Sequence, residues 1–184
     1  MLKQICSKNG FTLIELVVVI LFLGVIAVVA APKFIDFSSE ARKSTIEQAA
    51  GAIKSAIKIV NLKAQIEGVA NAASTELSTD NTVIELKYGY PDARNGIKAS
   101  VNLGKIGGYG ARSKNSQYDW ITHNVSFIEG GAILPGLEFG LGSYSGDGSS
   151  TDKAPSPRTL NCFIRYIEAS ANKKASIIVF TDGC

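Results

Sequence analysis

The sequence contains one histidine and three cysteines among 184 residues, so it offers few of the usual metal ligands. The sequence contains no CxxC motif, no HExxH motif and no P-loop. The glycines at residues 107–110 do not complete a dinucleotide-binding GxGxxG pattern, because Ser113 occupies the position of the last glycine. With one histidine, no Ser-His-Asp triad can be argued either. We therefore predict that the protein is not an enzyme and uses no cofactor and no metal.

An excess of charge of one sign is also missing. The 19 basic and 16 acidic residues leave a net charge of +3, which gives no electrostatic case for nucleic-acid binding. A hydrophobic content of 46% excludes a disordered chain, and the 18 glycines follow no collagen repeat. The length suits one domain.

A long apolar run occupies residues 11–31, FTLIELVVVILFLGVIAVVAA, and its only charged residue is Glu15. As a helix the run spans ~31 Å, about one bilayer core. Its leucine, isoleucine, valine and phenylalanine residues outweigh the cost of inserting one carboxylate. We expect the run to cross a membrane, with Lys3 and Lys8 keeping the N-terminus in the cytoplasm.

Three interpretations of this run compete. A secretory signal peptide cut after Ala31 leaves Glu15 unexplained, and the run exceeds the usual apolar length of about 7–15 residues. A plain membrane anchor explains the length but not the acid. An intramembrane carboxylate usually marks a function, although one solvated near the lipid headgroups would need no partner.

The third interpretation accounts for the acid, because Gly10 and the following FTLIELVVVI resemble the cleavage site of type IV prepilins. The resemblance implies that a prepilin peptidase cleaves between Gly10 and Phe11 and that Phe11 becomes N-methylated. It also implies that Glu15 pairs with the Phe11 amine of a neighbouring subunit during assembly. Within the family, the chain is most similar to the mannose-sensitive haemagglutinin (MSHA) pilins, through APKF at 31–34, YGYP at 88–91 and the C-terminal cysteine pair.

Such a resemblance implies a structural subunit. The precursor would cross the inner membrane once, and the pilus assembly machinery would then add it to an extracellular helical homo-oligomer used for adhesion. Its surface or host ligand stays open. A pseudopilin of a type II secretion or DNA-uptake machine, and a soluble periplasmic domain with a cleaved signal peptide, remain alternatives.

Beyond the apolar run, apolar residues recur at spacings of three and four, which predicts an amphipathic helix over residues 32–67. The stripe consists of Ile46, Ala49, Ala50, Ile53, Ile57, Val60 and Ala64. Gly68 is expected to end this helix. Gly24 and Pro32 weaken a helix, and the resemblance implies bending or melting between them in filaments; Pro32 starting a new helix is the alternative.

We predict an α+β fold of the type IV pilin kind, in which a long N-terminal helix packs on a C-terminal antiparallel β-sheet head. The organisation is a cleaved leader at 1–10, a membrane and assembly helix at 11–31, its amphipathic continuation at 32–67 and a globular head at 68–184.

Within the head, residues 82–88 predict a strand and 88–91 a turn, after a polar connection at 68–82. Residues 95–103 are ambiguous and compatible with a short helix, 104–117 are irregular, and 121–128 are compatible with a strand. We expect loops over most of 130–158. Residues 162–168 and 175–180 predict a hairpin.

Removal of the leader would remove Cys6 and leave Cys162 and Cys184, which can pair in an oxidising compartment. The pair resembles the C-terminal disulfide of many pilin heads, and it agrees with a hairpin centred on Lys173. The chain-entropy model gives about 3 kcal/mol for such a loop.

Three weaker signals lie in the head. Residues 147–152 faintly suggest a calcium loop but lack the ligand spacing and the closing glutamate. Asn124-Val125-Ser126 matches the N-glycosylation pattern, which is frequent by chance. We interpret His123 as an ordinary surface or core residue.

Overall fold

A computed structural model describes residues 10–79, 82–108, 118–129, 131–144 and 157–184. Its three α-helices are α1 (Leu13–Ile66), α2 (Gly96–Ser100) and α3 (Pro157–Leu160). Its eight strands are β1 (Thr75–Ser78), β2 (Val83–Lys87), β3 (Tyr90–Pro91), β4 (Ile106–Gly108), β5 (Trp120–Glu129), β6 (Ala132–Leu141), β7 (Phe163–Ile167) and β8 (Ser176–Phe180). A 3-10 turn, Gly142–Tyr144, follows β6.

The chain divides into two compact units between Ala41 and Arg42, and α1 contributes to both. The predicted helix over 11–67 is confirmed within two residues at either end. In the second unit, one stripe of α1 is buried. Its members are the seven residues of the predicted stripe, Ile46, Ala49, Ala50, Ile53, Ile57, Val60 and Ala64.

Two sheets make up the rest of the second unit. The smaller has the strand order β1-β2-β3 and the larger the order β4-β5-β6-β7-β8. The expected α+β fold with an antiparallel head is confirmed, except that β4 pairs with β5 in parallel. Ile106 lies beside Trp120 and Gly108 beside Thr122, so the two strands run in the same direction, and β4 is a strand inside the segment 104–117 that was expected to be irregular.

The buried side of α1 forms two apolar clusters. Ile46, Ile53 and Ile57 pack with Phe139 and Tyr166 of the larger sheet. One turn later, a second cluster joins α1 to the smaller sheet through Val60, Ala64, Leu77, Ile84 and Leu86. Burial of each valine, leucine, isoleucine or phenylalanine in these clusters contributes about 1.5–3 kcal/mol, and an alanine contributes less, so the stripe holds this part of α1 against the sheets.

The expectation of loops over 130–158 is wrong for β6, which lies at the centre of the larger sheet and pairs with β5 and β7. The glycines of this strand suggested a loop, but they lie where residues of other elements pack closely against the strand backbone. A Cβ at Gly136 would collide with the Phe127 ring and the Tyr166 carbonyl, and one at Gly140 would collide with Pro157. Glycine is therefore needed inside this strand.

The polar connection at 68–82 also contains a strand, β1. Only Leu77 of this strand is fully buried, and it lies opposite Ile84 of β2. One apolar residue among polar neighbours gave no periodic signal. The strand predicted at 82–88 is confirmed as β2, the one at 121–128 as β5, and the helix considered at 95–103 as α2.

The C-terminal hairpin is confirmed, but its register differs from the predicted one. Phe163 pairs with Phe180, so the hairpin centre lies between Ala171 and Asn172 and not at Lys173. Cys184 does not lie opposite Cys162 in the ladder. Instead a turn, in which the Cys184 amide donates to the Thr181 carbonyl, folds the terminus back towards Cys162.

Candidate functional site: the start of the long helix

The predicted cleavage junction lies immediately before α1. Phe11 is 80% exposed, and a Cβ built on Gly10 would meet nothing within 4 Å. The fold of the chain therefore does not itself require glycine at position 10. Residues 1–9, including Cys6, lie outside the described residues.

Thr12 and Glu15 cap the first turn of α1 reciprocally. The Thr12 amide and the Thr12 hydroxyl both donate to Glu15 Oε2, at 3.1 and 2.8 Å. The Glu15 amide in turn approaches Thr12 Oγ1 at 3.4 Å. This is the geometry of a capping box, which satisfies donors that a helix start leaves open.

The cap gives Glu15 a role within its own chain that the sequence analysis missed. The signal was present, because Thr-x-x-Glu directly before an apolar run is a helix-start pattern. Among the described residues, Glu15 Oε1 takes no hydrogen bond. One carboxylate oxygen therefore closes the local cap, and the other can accept a donor from outside.

The helix that follows the cap is long and apolar enough to cross a membrane. The span Leu13–Ala30 has a mean hydropathy of 3.1, and none of its residues is buried within the chain. Exposed apolar side chains in such number need lipid or protein around them, because water solvates them poorly.

Gly24 and Pro32 both lie inside α1. A Cβ at Gly24 would meet nothing within 4 Å, so no contact within the chain requires a glycine there. Pro32 does not begin a separate helix in this structure. The bending or melting of α1 between these residues in a filament stays a prediction.

The disulfide joins Cys162 and Cys184, with Cα atoms 4.8 Å apart. Both cysteines are buried in the cluster that includes Ile46 and Ile164. Arg42 of α1 donates to the Cys184 carbonyl at 3.2 Å, and the Gly183 amide donates to the Asn161 carbonyl. The disulfide thus fixes the C-terminus in the head.

A buried charge cluster lies on the sheet face opposite α1. Glu138 is fully buried, and its Oε1 accepts from Arg165 and Arg158, whose closest nitrogens lie at 2.8 and 3.1 Å. His123 Nδ1 lies 3.8 Å from Glu138 Oε2. In the part of the chain that the structure describes, no group of His, Cys, Asp and Glu residues could hold a metal ion. We interpret the cluster as structural.

A second buried polar group joins the two sheets. Tyr166 donates its hydroxyl to the Pro91 carbonyl, and Glu168 Oε2 accepts from the Ala93 amide at 2.8 Å. Burial raises the pKa of the Tyr166 phenol, and the nearby Glu168 charge raises it further. The pKa of Glu168 is raised by burial and, less strongly, by the charge of Asp92.

Two remaining signals have no clear place in a site. Asn124 is exposed on β5, where the structure gives no further indication of a modification. Residues 147–152, the faint calcium loop, lie outside the described residues.

Comparisons with known proteins identify relatives that match part of the chain. The type IV narrow pilus major component PilA5 of Thermus thermophilus is 33% identical over 85 residues, which cover 40% of this chain and 73% of the relative. The type IV major alpha-pilin of Moraxella bovis is 32% identical over 99 residues, covering 53% of this chain and 60% of the relative. Fimbrial protein EcpC of Eikenella corrodens is 35% identical over 81 residues, which cover 52% of its length.

No family model and no solved structure matches the chain. The named relatives are structural pilin subunits and not enzymes, which confirms that the chain is not an enzyme. The apolar span, the helix-on-sheet fold and the identity to the Thermus protein agree. The chain belongs to the type IV pilin family.

Proposed function

We propose that the chain is the subunit of an MSHA-like type IV pilus, which polymerises into a surface filament for attachment. One observation carries the proposal: no residue of the span Leu13–Ala30 is buried within the chain, although the mean hydropathy of the span is 3.1. Its neighbours in the filament would be other copies of the same span. In the alternative of a soluble periplasmic domain, this segment would be removed with the signal peptide and would be absent from the mature protein.

The inner membrane holds the precursor first, with its N-terminus in the cytoplasm. Extraction from lipid exposes side chains such as Ile26, which is 61% exposed in the chain. Burying each large apolar side chain against other subunits contributes about 1.5–3 kcal/mol, which replaces what lipid supplied. The same residues thus serve as anchor and as assembly surface.

Glu15 directs this packing. Its Oε2 is engaged by Thr12, and its Oε1 remains an acceptor for the Phe11 amine of a neighbour. Away from water, an amine and a carboxylate attract strongly, and each offsets the cost of burying the other. Apolar contacts alone would allow one helix to slide along another, whereas this pair defines a register.

The pairing needs a free amine at Phe11, and therefore cleavage after Gly10 by a prepilin peptidase, with N-methylation of the new terminus. Gly10 has open space for a side chain in the structure, so a substitution there tests the peptidase and not the fold. Gly24 also has open space and provides a matched control.

The test is the intact mass of the exported protein. The proposal predicts a methylated chain beginning at Phe11 for the natural sequence and for Gly24→Leu. It predicts an unprocessed chain in the membrane for Gly10→Leu. A mature chain beginning at Pro32 would contradict the proposal and support the alternative of a soluble periplasmic domain with a cleaved signal peptide.

A further inference from the structure

A polar groove lies at the end of the head where α1 finishes. Its volume is about 800 Å³, within the ~300–1,000 Å³ typical of small-molecule sites. Four segments that are distant in sequence meet there: the last turns of α1, the α1–β1 connection, the β2–β3 turn and the β7–β8 connection. The side chains that carry the argument are Asn61, Gln65, Asn71, Tyr88, Asn172 and Lys174.

We propose that this groove binds an acidic saccharide, with sugar hydroxyls on the amides and a carboxylate on Lys174. The proposal names the ligand class for the attachment role, but the site belongs to the single subunit and does not depend on polymerisation.

The amides suit vicinal hydroxyl groups, because each amide offers one acceptor and two donors. Two of them are held in place: Asn61 donates to the Gly89 carbonyl at 3.0 Å, and Gln65 donates to Asn61 Oδ1 at 2.7 Å. Within the described residues, no hydrogen bond engages the side chain of Asn71 or Asn172. Their bonding capacity is available to a ligand.

The Tyr88 ring, which lines one side of the groove, is held in place by the backbone of its turn. Tyr88 has φ 49°, and its amide donates to the Ala72 carbonyl at 2.9 Å. Gly89 follows at φ 77°, and a Cβ there would collide with the backbone of Ala70. The turn is therefore locked against the α1–β1 connection, with the half-buried Tyr88 ring lining the groove, where the apolar face of a sugar ring can stack.

The charged residues that line the groove favour a negatively charged ligand. Lys174 is exposed and makes no ion pair with any residue that the structure describes. None of the residues that line the groove is acidic. Lys173 also lines the groove, so a ligand carboxylate would meet two lysines and no acidic side chain, whereas a neutral sugar could only accept ordinary hydrogen bonds from Lys174.

The test is calorimetric titration of the full chain in a polyoxyethylene detergent, which has no sugar headgroup. The probes are trigalacturonate, the neutral trimer of β-1,4-linked galactose, and tripolyphosphate. The proposal predicts that trigalacturonate binds at least about tenfold more tightly than either of the others.

Variants then locate the site. Lys174→Gln should reduce the preference for the acidic trimer, because Lys173 remains, and should change the affinity for the neutral trimer much less. Asn71→Ala should weaken both trimers, and Tyr88→Asn should too, since asparagine tolerates the positive φ. Lys58→Gln and Asn124→Ala, both exposed outside the groove, are the matched controls.

Equal affinity for tripolyphosphate would show a general anion site and overturn the saccharide assignment. Undetectable binding of trigalacturonate, or binding that the groove variants leave unchanged, would overturn the site. These results would leave the filament proposal standing, because cleavage and polymerisation are measured separately.

Discussion

The Glu15 carboxylate accepts two hydrogen bonds from Thr12, one from its amide and one from its hydroxyl, through a single oxygen. A residue expected to act only between subunits thus first completes the start of its own helix. The proposed pairing with a neighbouring subunit would use the other oxygen, so it is compatible with the cap. The cap also holds the carboxylate in the first turn, where the helix dipole favours a negative charge.

Thr12→Val should loosen this first turn, because valine cannot accept from the Glu15 amide. Loss of a threonine cap costs ~1 kcal/mol, which predicts about fivefold faster hydrogen exchange at the first-turn amides in detergent micelles. Thr12→Ser keeps the hydroxyl and should exchange at the natural rate. Equal exchange in all three proteins would show that the cap has no energetic role.

Breaking the disulfide should destabilise the head by about 3 kcal/mol. Cys184→Ser is the milder variant, because Cys162 is fully buried while Cys184 is 8% exposed. Denaturant unfolding can be followed by the fluorescence of the single, buried Trp120. Reducing the natural protein should give the same loss. Free thiols at both positions in native filaments would contradict the account.

Arg165 and Arg158 both bind Glu138, but they should differ in importance. The Arg165 side chain is 17% exposed, and its guanidinium carbon lies 4.7 Å from the Phe127 ring centre and 4.8 Å from that of Phe180. Arg158 is 55% exposed. Arg165→Gln should cost about 2–4 kcal/mol of unfolding free energy and Arg158→Gln less than about 1. Equal losses of unfolding free energy would show that the deeper burial of Arg165 does not make its ion pair with Glu138 more important.

Glu168→Gln should stabilise the head at neutral pH. Because the folded-state pKa of Glu168 is raised, its contribution to stability is fully present at acidic pH and is lost as pH rises through that pKa. Glutamine removes the buried charge and can still accept from the Ala93 amide. The advantage in melting temperature should therefore be largest at pH 7 and shrink towards pH 4.

The exposed Glu76 provides the control. Glu76→Gln should leave the melting temperature nearly unchanged at both pH values. A Glu168→Gln protein that is less stable than the natural one at pH 7 would show that its charge is needed at the junction of the two sheets.

The sequence was sufficient for the elements whose residues follow a strong local period. The α1 stripe from Ile46 to Ala64 and the apolar run are such cases, since spacing alone separates the faces of a helix. The β6 strand was missed because its glycines are explained only by Phe127, Tyr166 and Pro157, which approach from other elements.

The candidate site shows the same division. Roles for Gly10, Phe11 and Glu15 were predicted from one short motif that resembles the prepilin cleavage site, and the Thr12 cap was readable from the same motif. The groove was not predictable, because it joins Asn61 to Lys174 through contacts that only the fold creates. The hairpin register depended on a C-terminal turn with no local signal.

The central claim is that Glu15 serves assembly, and the most direct measurement is electron microscopy of sheared filaments from cells that express Glu15→Val. The account predicts a chain that is inserted, cleaved and methylated, as intact mass would show, but few or no filaments. Glu15→Asp keeps the charge on a shorter side chain and should form more filaments than Glu15→Val. Abundant normal filaments from processed Glu15→Val protein would show that the carboxylate is dispensable and would contradict the account.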